Sequence, residues 1–240
     1  MLKTERMDRV RAALRAQGLT QMIVCDPKSV WYLTGVAVEP YERLLALYLP
    51  TEGEPVLFLN RLFNVPEPPC RTVWHTDTDK PVAQIAEVVD AGRPLGIDKE
   101  WPAKFLIPLM ETHPGMQVVL SSDCVDDCRA CKDAEEQTLM REASRINDAV
   151  NEAAKHYIKA GMTEREVAEF IDAQYRAHGC EGPSFTTIVS FGANAADPHH
   201  EPDDTVLKEG DCVLFDMGCV KSRYCSDMTV SYTHLRAHET

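Results

Sequence analysis

Residues 211–229 read Asp-Cys-Val-Leu-Phe-Asp-Met-Gly-Cys-Val-Lys-Ser-Arg-Tyr-Cys-Ser-Asp-Met-Thr. The apolar and β-prone residues on either side of a turn at Val220–Arg223 predict two short antiparallel strands. Pairing about this turn places Asp216 directly opposite Asp227. Two facing carboxylates repel each other and weaken a hairpin unless a cation lies between them. The stretch therefore predicts a site for one or two divalent metal ions.

A second motif lies just upstream, where Ser190–His199 reads Ser-Phe-Gly-Ala-Asn-Ala-Ala-Asp-Pro-His. Either aspartate of the hairpin, taken alone, is more often a turn or surface residue than a metal ligand. Taken with this motif, the hairpin resembles the pita-bread metallopeptidases, and most of all their Xaa-Pro aminopeptidase and prolidase branch. The order His199, Asp216, Asp227 agrees with that family's pattern of one catalytic histidine followed by two metal-binding aspartates.

The resemblance implies a role for each of these residues. Asp216 would hold one metal ion, Asp227 would bridge two, and His199 would hydrogen-bond the substrate or the tetrahedral intermediate. Carboxylate oxygens favour hard ions, so we expect two divalent ions, manganese first, with cobalt or zinc as alternatives. A metal pair lowers the pKa of a shared water, which suits hydrolysis near neutral pH. The neighbouring His200 should point the opposite way on an extended segment and is interpreted as a surface or supporting residue.

The resemblance also implies a later histidine and two glutamates in the metal shell, and none of them can be placed. Residues 230–240 resemble the translation of a sequencing adapter, so we treat them as a non-native tail and exclude them from the fold. His234, His238 and Glu239 are therefore not counted as ligands. With an incomplete ligand set the chain should bind metal weakly and lack activity as it stands.

The fold class expected is α/β (α+β), with two domains. A creatinase-type N-terminal α/β domain is predicted over 1–131, followed by the first half of a pita-bread catalytic domain over 132–229 and the tail at 230–240. The second domain opens with a long helix over Glu135–Lys159. The segment Thr163-Glu-Arg-Glu166 is a capping box that begins the next helix.

Apolar periodicity in the first domain predicts alternating helices and strands. The predicted helices are Arg6–Gln17, Val82–Asp90 and Ala103–Thr112, and the predicted strands are Met22–Cys25, Leu44–Leu49, Pro55–Leu59, Leu95–Asp98 and Met116–Leu120. Nothing in this domain indicates catalysis. Trp31, Tyr32, His75 and Trp101 are interpreted as core or interface residues.

Composition narrows the class of protein. The chain has 240 residues, 44% of them hydrophobic, and a net charge of −13, which disfavours binding to nucleic acid or to an anionic membrane. The charged N-terminus lacks the apolar core of a signal peptide, and no apolar run is long enough to span a bilayer. Nine scattered cysteines fit reduced thiols, so a cytoplasmic location is expected. Cys124, Cys128 and Cys131 have spacing that could seat a soft metal, but no fourth ligand accompanies them, and ordinary thiols are expected.

For the full-length parent, the resemblance implies a metal-dependent exopeptidase that hydrolyses the bond before proline in peptides or dipeptides. It also implies a homodimer. Two alternatives stay open. A creatinase-like enzyme would hydrolyse a small C–N bond without metal, although a metal-free site has no use for facing carboxylates. A non-catalytic binding module on the same fold is the other.

Overall fold

The computed structural model describes residues 3–233, and the chain divides into two compact units between Cys131 and Lys132. Among the described residues, no helix combines the length and the apolar composition needed to cross a membrane. The mixed α/β class predicted from the sequence is confirmed. Each unit has its own hydrophobic core and is described separately.

The first unit alternates helices and strands along the chain. Its helices are α1 (Thr4–Ala16), α2 (Pro27–Thr34), α3 (Pro81–Ala86), α4 (Ala103–Thr112) and α5 (Asp123–Ala130). Its strands are β1 (Gln21–Val24), β2 (Ala46–Pro50), β3 (Val56–Asn60), β4 (Arg71–His75), β5 (Leu95–Ile97) and β6 (Val118–Leu120). The predicted helix over Val82–Asp90 ends earlier, at Ala86, while α2, β4 and α5 are not among the predicted helices and strands.

The six strands form one sheet in the order β4-β3-β2-β1-β5-β6. Successive residues of a strand point to opposite faces, and both faces of this sheet are apolar. One face packs on α1, α2 and α5 through a core that includes Val10, Leu33 and Leu47. The other packs on α3 and α4 through Phe58, Ile85 and Leu109. Of the four residues expected in the core or an interface, Tyr32, His75 and Trp101 are buried and Trp31 is half-buried.

The second unit begins with two long helices followed by short strands. The helices are α6 (Ala134–Tyr157) and α7 (Glu164–Ala177), and a 3₁₀ turn covers Gly192–Ala196. The strands are β7 (Gly182–Pro183), β8 (Ile188–Phe191), β9 (Cys212–Met217), β10 (Cys219–Lys221), β11 (Tyr224–Cys225) and β12 (Met228–Thr233). They form two three-stranded sheets, in the orders β12-β9-β8 and β11-β10-β7.

Both helices of this unit begin at capping boxes, and that explains where they start. Thr163 accepts from the Glu166 N–H while the Glu166 carboxylate accepts from the Thr163 N–H, as the sequence predicts. Asp133 and Glu136 make the same reciprocal pair at the start of α6. Apolar residues of α6 and α7, including Val150, Val167 and Ile171, then pack on one face of the β12-β9-β8 sheet.

The predicted hairpin exists, but its predicted register is wrong by two positions. Lys221 pairs with Tyr224, and Asp216 pairs with Thr229 rather than with Asp227. The turn therefore consists of Ser222 and Arg223 alone. A shift of one residue would have moved one carboxylate to the other side, whereas a shift of two keeps both on the same face of the sheet.

Residues 230–233 of the segment treated as foreign continue β12. Val230 pairs with Phe215, and Tyr232 makes an edge-to-face contact with the same ring at a centroid distance of 5.5 Å. Residues 234–240 lie outside the described residues, as do His234, His238 and Glu239. The foreign origin of the tail stays a prediction.

The two-residue turn suggests a stabilising substitution. Ser222 and Arg223 have φ of +51° and +66°, which is the left-handed region that disfavours side chains other than glycine and asparagine. We expect Ser222→Asn to raise the free energy of unfolding by about 0.5 to 1 kcal/mol, because asparagine tolerates this conformation. Urea denaturation measures the change. Ser222→Val should lower stability instead, and equal stability of the two variants would contradict the assigned turn.

Candidate metal and catalytic site

Asp216 lies near the end of β9, the central strand of its sheet. Its backbone neighbours are Ile188 on β8 and Thr229 on β12. The flanking residues Phe215 and Met217 point into the core, so Asp216 points to the opposite face, where it is half-buried. Its Oδ1 accepts a hydrogen bond of 2.9 Å from the Thr229 hydroxyl. Its Oδ2 accepts none from residues 3–233, so one oxygen stays available to a ligand.

Asp227 lies in the short connection between β11 and β12 and is exposed. It precedes Thr229 by two residues, and extended backbone returns to the same face every second residue. The two carboxylates are therefore diagonal rather than opposite neighbours. Within the described part of the chain, no lysine, arginine or histidine forms an ion pair with Asp216 or Asp227.

These features fit divalent cations. Two carboxylates on one face, with free oxygens and no basic side chain to neutralise them, supply the hard donors that ions such as manganese prefer. The two aspartates alone give fewer ligands than a complete metal shell requires. Their roles as metal ligands stay a prediction that the donor set supports.

His199 follows the 3₁₀ turn at Gly192–Ala196, which packs against β8 and β9. Its side chain is exposed, and its backbone N–H donates to the Asp197 carboxylate at 2.9 Å. The donor atoms of His199, Asp216 and Asp227 do not all lie within 4.8 Å of one another. His199 is thus on an accessible loop beside the sheet that carries Asp216, and its catalytic role stays a prediction.

A different cluster of potential ligands, consisting of Glu164, His200 and Asp203, lies within 4.8 Å. It is the sole group of three His, Cys, Asp or Glu side chains this close among residues 3–233. His200 is half-buried with Nε2 at 2.6 Å from the Glu164 carboxylate, whereas His199 is exposed. The two histidines lie at a turn closed by the His200 N–H on the Asp197 carbonyl, so the extended segment expected here is not observed. Sequence reasoning missed Glu164, because it lies inside the capping box whose signal comes from Thr163 and Glu166.

Thr205 lowers the pKa of the Asp203 carboxyl through two hydrogen bonds. Hydrogen bonds from the Thr205 side chain and backbone hold the pKa of that carboxyl below its usual value. A lowered folded pKa means that the resulting stabilisation is present above the unfolded pKa and is lost as the pH falls through the folded one. At neutral pH the Asp203 carboxylate is therefore ionised.

The three cysteines with metal-like spacing do not form a site. Cys124 is buried, Cys128 half-buried and Cys131 exposed along α5 and its end, and no cysteine belongs to a cluster of three potential ligands in the described chain. Burial raises the pKa of the Cys124 thiol to about 11. The interpretation of these three cysteines as ordinary thiols stays a prediction.

Comparison with known proteins identifies both units. Residues 6–131 match the family model of the creatinase/prolidase N-terminal domain, and residues 138–239 match metallopeptidase family M24. A Staphylococcus epidermidis protein named as an uncharacterized peptidase is 30% identical over 224 residues, which cover 92% of this chain and 63% of that protein.

Solved structures agree. Dipeptidase PepE from Mycobacterium ulcerans superposes with a TM-score of 0.85 at 30% identity, covering 95% of this chain and 64% of that one. Prolidase from Thermococcus sibiricus superposes with a TM-score of 0.86 at 28% identity, covering 96% and 65%. The chain thus spans less than two thirds of the length of these relatives. It belongs to the family of the creatinase/prolidase N-terminal domain, here joined to a partial pita-bread domain of metallopeptidase family M24.

Proposed function

We propose that the full-length parent of this chain is a metal-dependent peptidase that hydrolyses the bond before proline in dipeptides or short peptides. The observation that carries the proposal is the pair of carboxylates at one end of the β9–β12 hairpin: Asp216 lies on β9, Asp227 lies just before β12, and neither forms an ion pair with a basic side chain among residues 3–233. The family assignment and the similarity to a prolidase and a dipeptidase support peptide hydrolysis as the reaction class.

Each side chain has a distinct task in this proposal. Asp216 and Asp227 would hold two divalent ions, and the Thr229 hydroxyl donates to Oδ1 of the Asp216 carboxylate, which leaves Oδ2 available as a ligand atom. Bound ions would supply Lewis acidity and lower the pKa of a water molecule. The exposed imidazole of His199 can donate an N–H to the carbonyl oxygen of the scissile bond, where negative charge develops. We propose manganese as the ion, because the proposed ligand atoms of Asp216 and Asp227 are hard carboxylate oxygens.

The proposal extends to partners and location. Proline has no amide N–H and a fixed ring, so a peptidase that cleaves before it needs a pocket shaped for that ring. We therefore propose proline-containing peptides as substrates. A homodimer is proposed from the family resemblance, and a cytoplasmic location from the nine scattered cysteines, which fit reduced thiols.

Two alternatives are tested by the same assay. A metal-free C–N hydrolase leaves the unneutralised aspartates unexplained, since like charges on one face destabilise the sheet. A binding module built on the fold would need no further metal ligands. The proposal also treats the chain as inactive by itself, because the later histidine and glutamate ligands implied by the resemblance are not among its described residues.

The decisive experiment follows the coding sequence beyond residue 229 in its source DNA and expresses the longer protein. With Mn²⁺ present, it should release alanine from alanyl-proline at least about tenfold faster than from alanyl-alanine, which tests specificity for the proline ring. Equal rates would make it a general dipeptidase. A longer protein that lacks the later histidine and glutamates would support the binding module, and hydrolysis that survives a chelator would support the metal-free enzyme.

A further inference from the structure

One buried carboxylate holds the loop that carries His199. The side chain of Glu164 is fully buried and receives four hydrogen-bond donors from residues 191–203. Oε1 accepts from the Phe191 N–H at 2.7 Å and from the Asn194 amide at 3.0 Å. Oε2 accepts from the His200 ring at 2.6 Å and from the Asp203 N–H at 3.1 Å.

The position of Glu164 at the start of α7 lowers the free-energy cost of burying its charge. Glu164 is the first residue of α7, where the helix dipole favours a negative charge. The cap of that helix is made by Thr163 and Glu166, so the Glu164 side chain is not needed there and can reach the loop. A buried carboxylate is costly unless its oxygens are satisfied, and the four donors satisfy both of them.

The contacts also indicate that Nε2 is the donor atom of the His200 ring. Nε2 lies 2.6 Å from the carboxylate and 3.2 Å from the Asn194 amide nitrogen. An amide NH₂ and a carboxylate both contact this atom, and the shorter contact needs Nε2 to carry a proton. Nε2 therefore donates to Glu164, while the two amide hydrogens of Asn194 go to Glu164 and to the Thr205 hydroxyl at 3.1 Å.

These hydrogen bonds hold the loop in place on both sides of His199. Phe191 and Asn194 precede it in the chain, and His200 and Asp203 follow it. The peptide units around His199 are thereby tied to one rigid point at the start of α7, although its own side chain is exposed. We propose that Glu164 is a positioning residue, which sets the place of the His199 imidazole relative to the sheet that carries Asp216. This inference rests on the function proposed above.

The same cluster is a poorer candidate for a metal site. A cation between Glu164, His200 and Asp203 would have to replace the proton that His200 donates, and it would lie beside the Asp203 N–H, which already uses Oε2. The lone pairs of the Glu164 carboxylate are directed at its four hydrogen-bond donors. None is left to bind a metal ion. The hydrogen bonds therefore indicate that Glu164 holds the loop of residues 191–203 in place, a role we call a clamp, rather than binding a metal ion.

The first test uses the 240-residue chain and needs no activity. Glu164→Gln keeps the shape of the side chain but turns one acceptor oxygen into a donor, which opposes either the pair of donors at Oε1 or the pair at Oε2. We expect the Phe191 or the Asp203 amide to exchange hydrogen at least about tenfold faster, because it loses its acceptor. The ¹H–¹³C signal of the His199 ring should shift as well. Glu166→Gln, the matched change in the same helical turn, should leave the His199 signal in place.

The second test uses the longer protein. If it hydrolyses alanyl-proline, Glu164→Gln should lower kcat by about tenfold to a hundredfold, with KM and Mn²⁺ affinity within about twofold of the parent, because the histidine is misplaced while the ion ligands are untouched. Joint loss of kcat and Mn²⁺ affinity in Glu164→Gln would overturn the clamp in favour of a metal site. Unchanged amide exchange and an unchanged His199 signal would also overturn it. An inactive parent would refute the proposed function alone, since the first test is independent of catalysis.

Discussion

Replacing Asp227 by asparagine in the full-length protein is expected to lower kcat/KM for alanyl-proline by about a thousandfold or more, equivalent to about 4 kcal/mol of transition-state stabilisation. Asparagine keeps the size of the side chain but removes the charge, and a neutral amide oxygen binds divalent cations more weakly than a carboxylate does. Asp216→Asn should have a similar effect. The measurement is steady-state hydrolysis at saturating Mn²⁺.

Asp227→Asn should lower activity but raise the stability of the metal-free chain. Asp216 and Asp227 are like charges on one face of a sheet, with no basic partner among the described residues. Their repulsion is removed in the variant, so we expect the free energy of unfolding without metal to rise by about 0.5 kcal/mol. A gain in apo stability combined with a loss of Mn²⁺ affinity is a signature that a general folding defect does not give.

A matched control is available on the neighbouring loop. Asp204 is also an aspartate in this unit, and it forms an ion pair with Arg165 at 3.2 Å in which its side chain is 86% exposed. Exposed ion pairs contribute little to stability, so Asp204→Asn should leave both activity and Mn²⁺ affinity unchanged. Equal Mn²⁺ affinity of the Asp227→Asn and Asp204→Asn variants would show that the hairpin aspartates are not metal ligands.

The sequence predicted the parts of this fold that depend on local pattern. The helix over Ala103–Thr112 and the capping box at Thr163 follow from apolar spacing and from short-range hydrogen bonds, and both are observed. Strand β4, which was missed, lies at the edge of its sheet and contains polar as well as apolar residues, so it gives no clear period. Helix α5 was missed because its acidic sequence carries little apolar signal.

In the candidate site, too, some features follow from local sequence pattern and others depend on contacts between distant residues. The hairpin that carries Asp216 could be predicted, whereas the roles of Asp216 and Asp227 as metal ligands stay a prediction. The register could not be predicted, since neither Ser222 nor Arg223 is a residue typical of a turn with two positive φ angles. Glu164 could not be found either, because its partners lie 27 to 39 residues away along the chain. Contacts of that range depend on how α7 packs on the sheet rather than on any local motif.

Replacing Gly218 by alanine is expected to be the most destabilising single change in the second unit, at about 3 kcal/mol or more. Gly218 lies between β9 and β10, where the two small sheets meet. A Cβ at this position would lie 2.1 Å from the Ser226 carbonyl oxygen and 2.3 Å from the Ser184 hydroxyl, both far inside van der Waals contact. The backbone has to move apart to admit it.

That movement should also disturb the proposed metal site, because Asp216 precedes Gly218 by two residues and Ser226 precedes Asp227 by one. Ser184 already links this point, donating its N–H to the Gly218 carbonyl and its hydroxyl to the Ser226 carbonyl. Urea denaturation monitored through the second unit measures the loss. Gly92→Ala in the first unit is the control for an added methyl group that is not blocked by backbone, since its Cβ meets only the Asp90 carboxylate, at 3.3 Å. Urea denaturation monitored through that unit should change by less than about 0.5 kcal/mol.

A double variant separates the two contacts that the new methyl group would make. Ser184→Ala removes the hydroxyl at 2.3 Å but leaves the Ser226 carbonyl at 2.1 Å, which belongs to the backbone and has no other rotamer to adopt. Ser184→Ala should therefore fail to rescue Gly218→Ala. Recovery of more than about half of the lost stability would mean that the side-chain contact dominates and that the two strands can separate at low cost. Because the closer contact is made by the backbone that leads into Asp227, we expect metal affinity to stay low in the double variant as well.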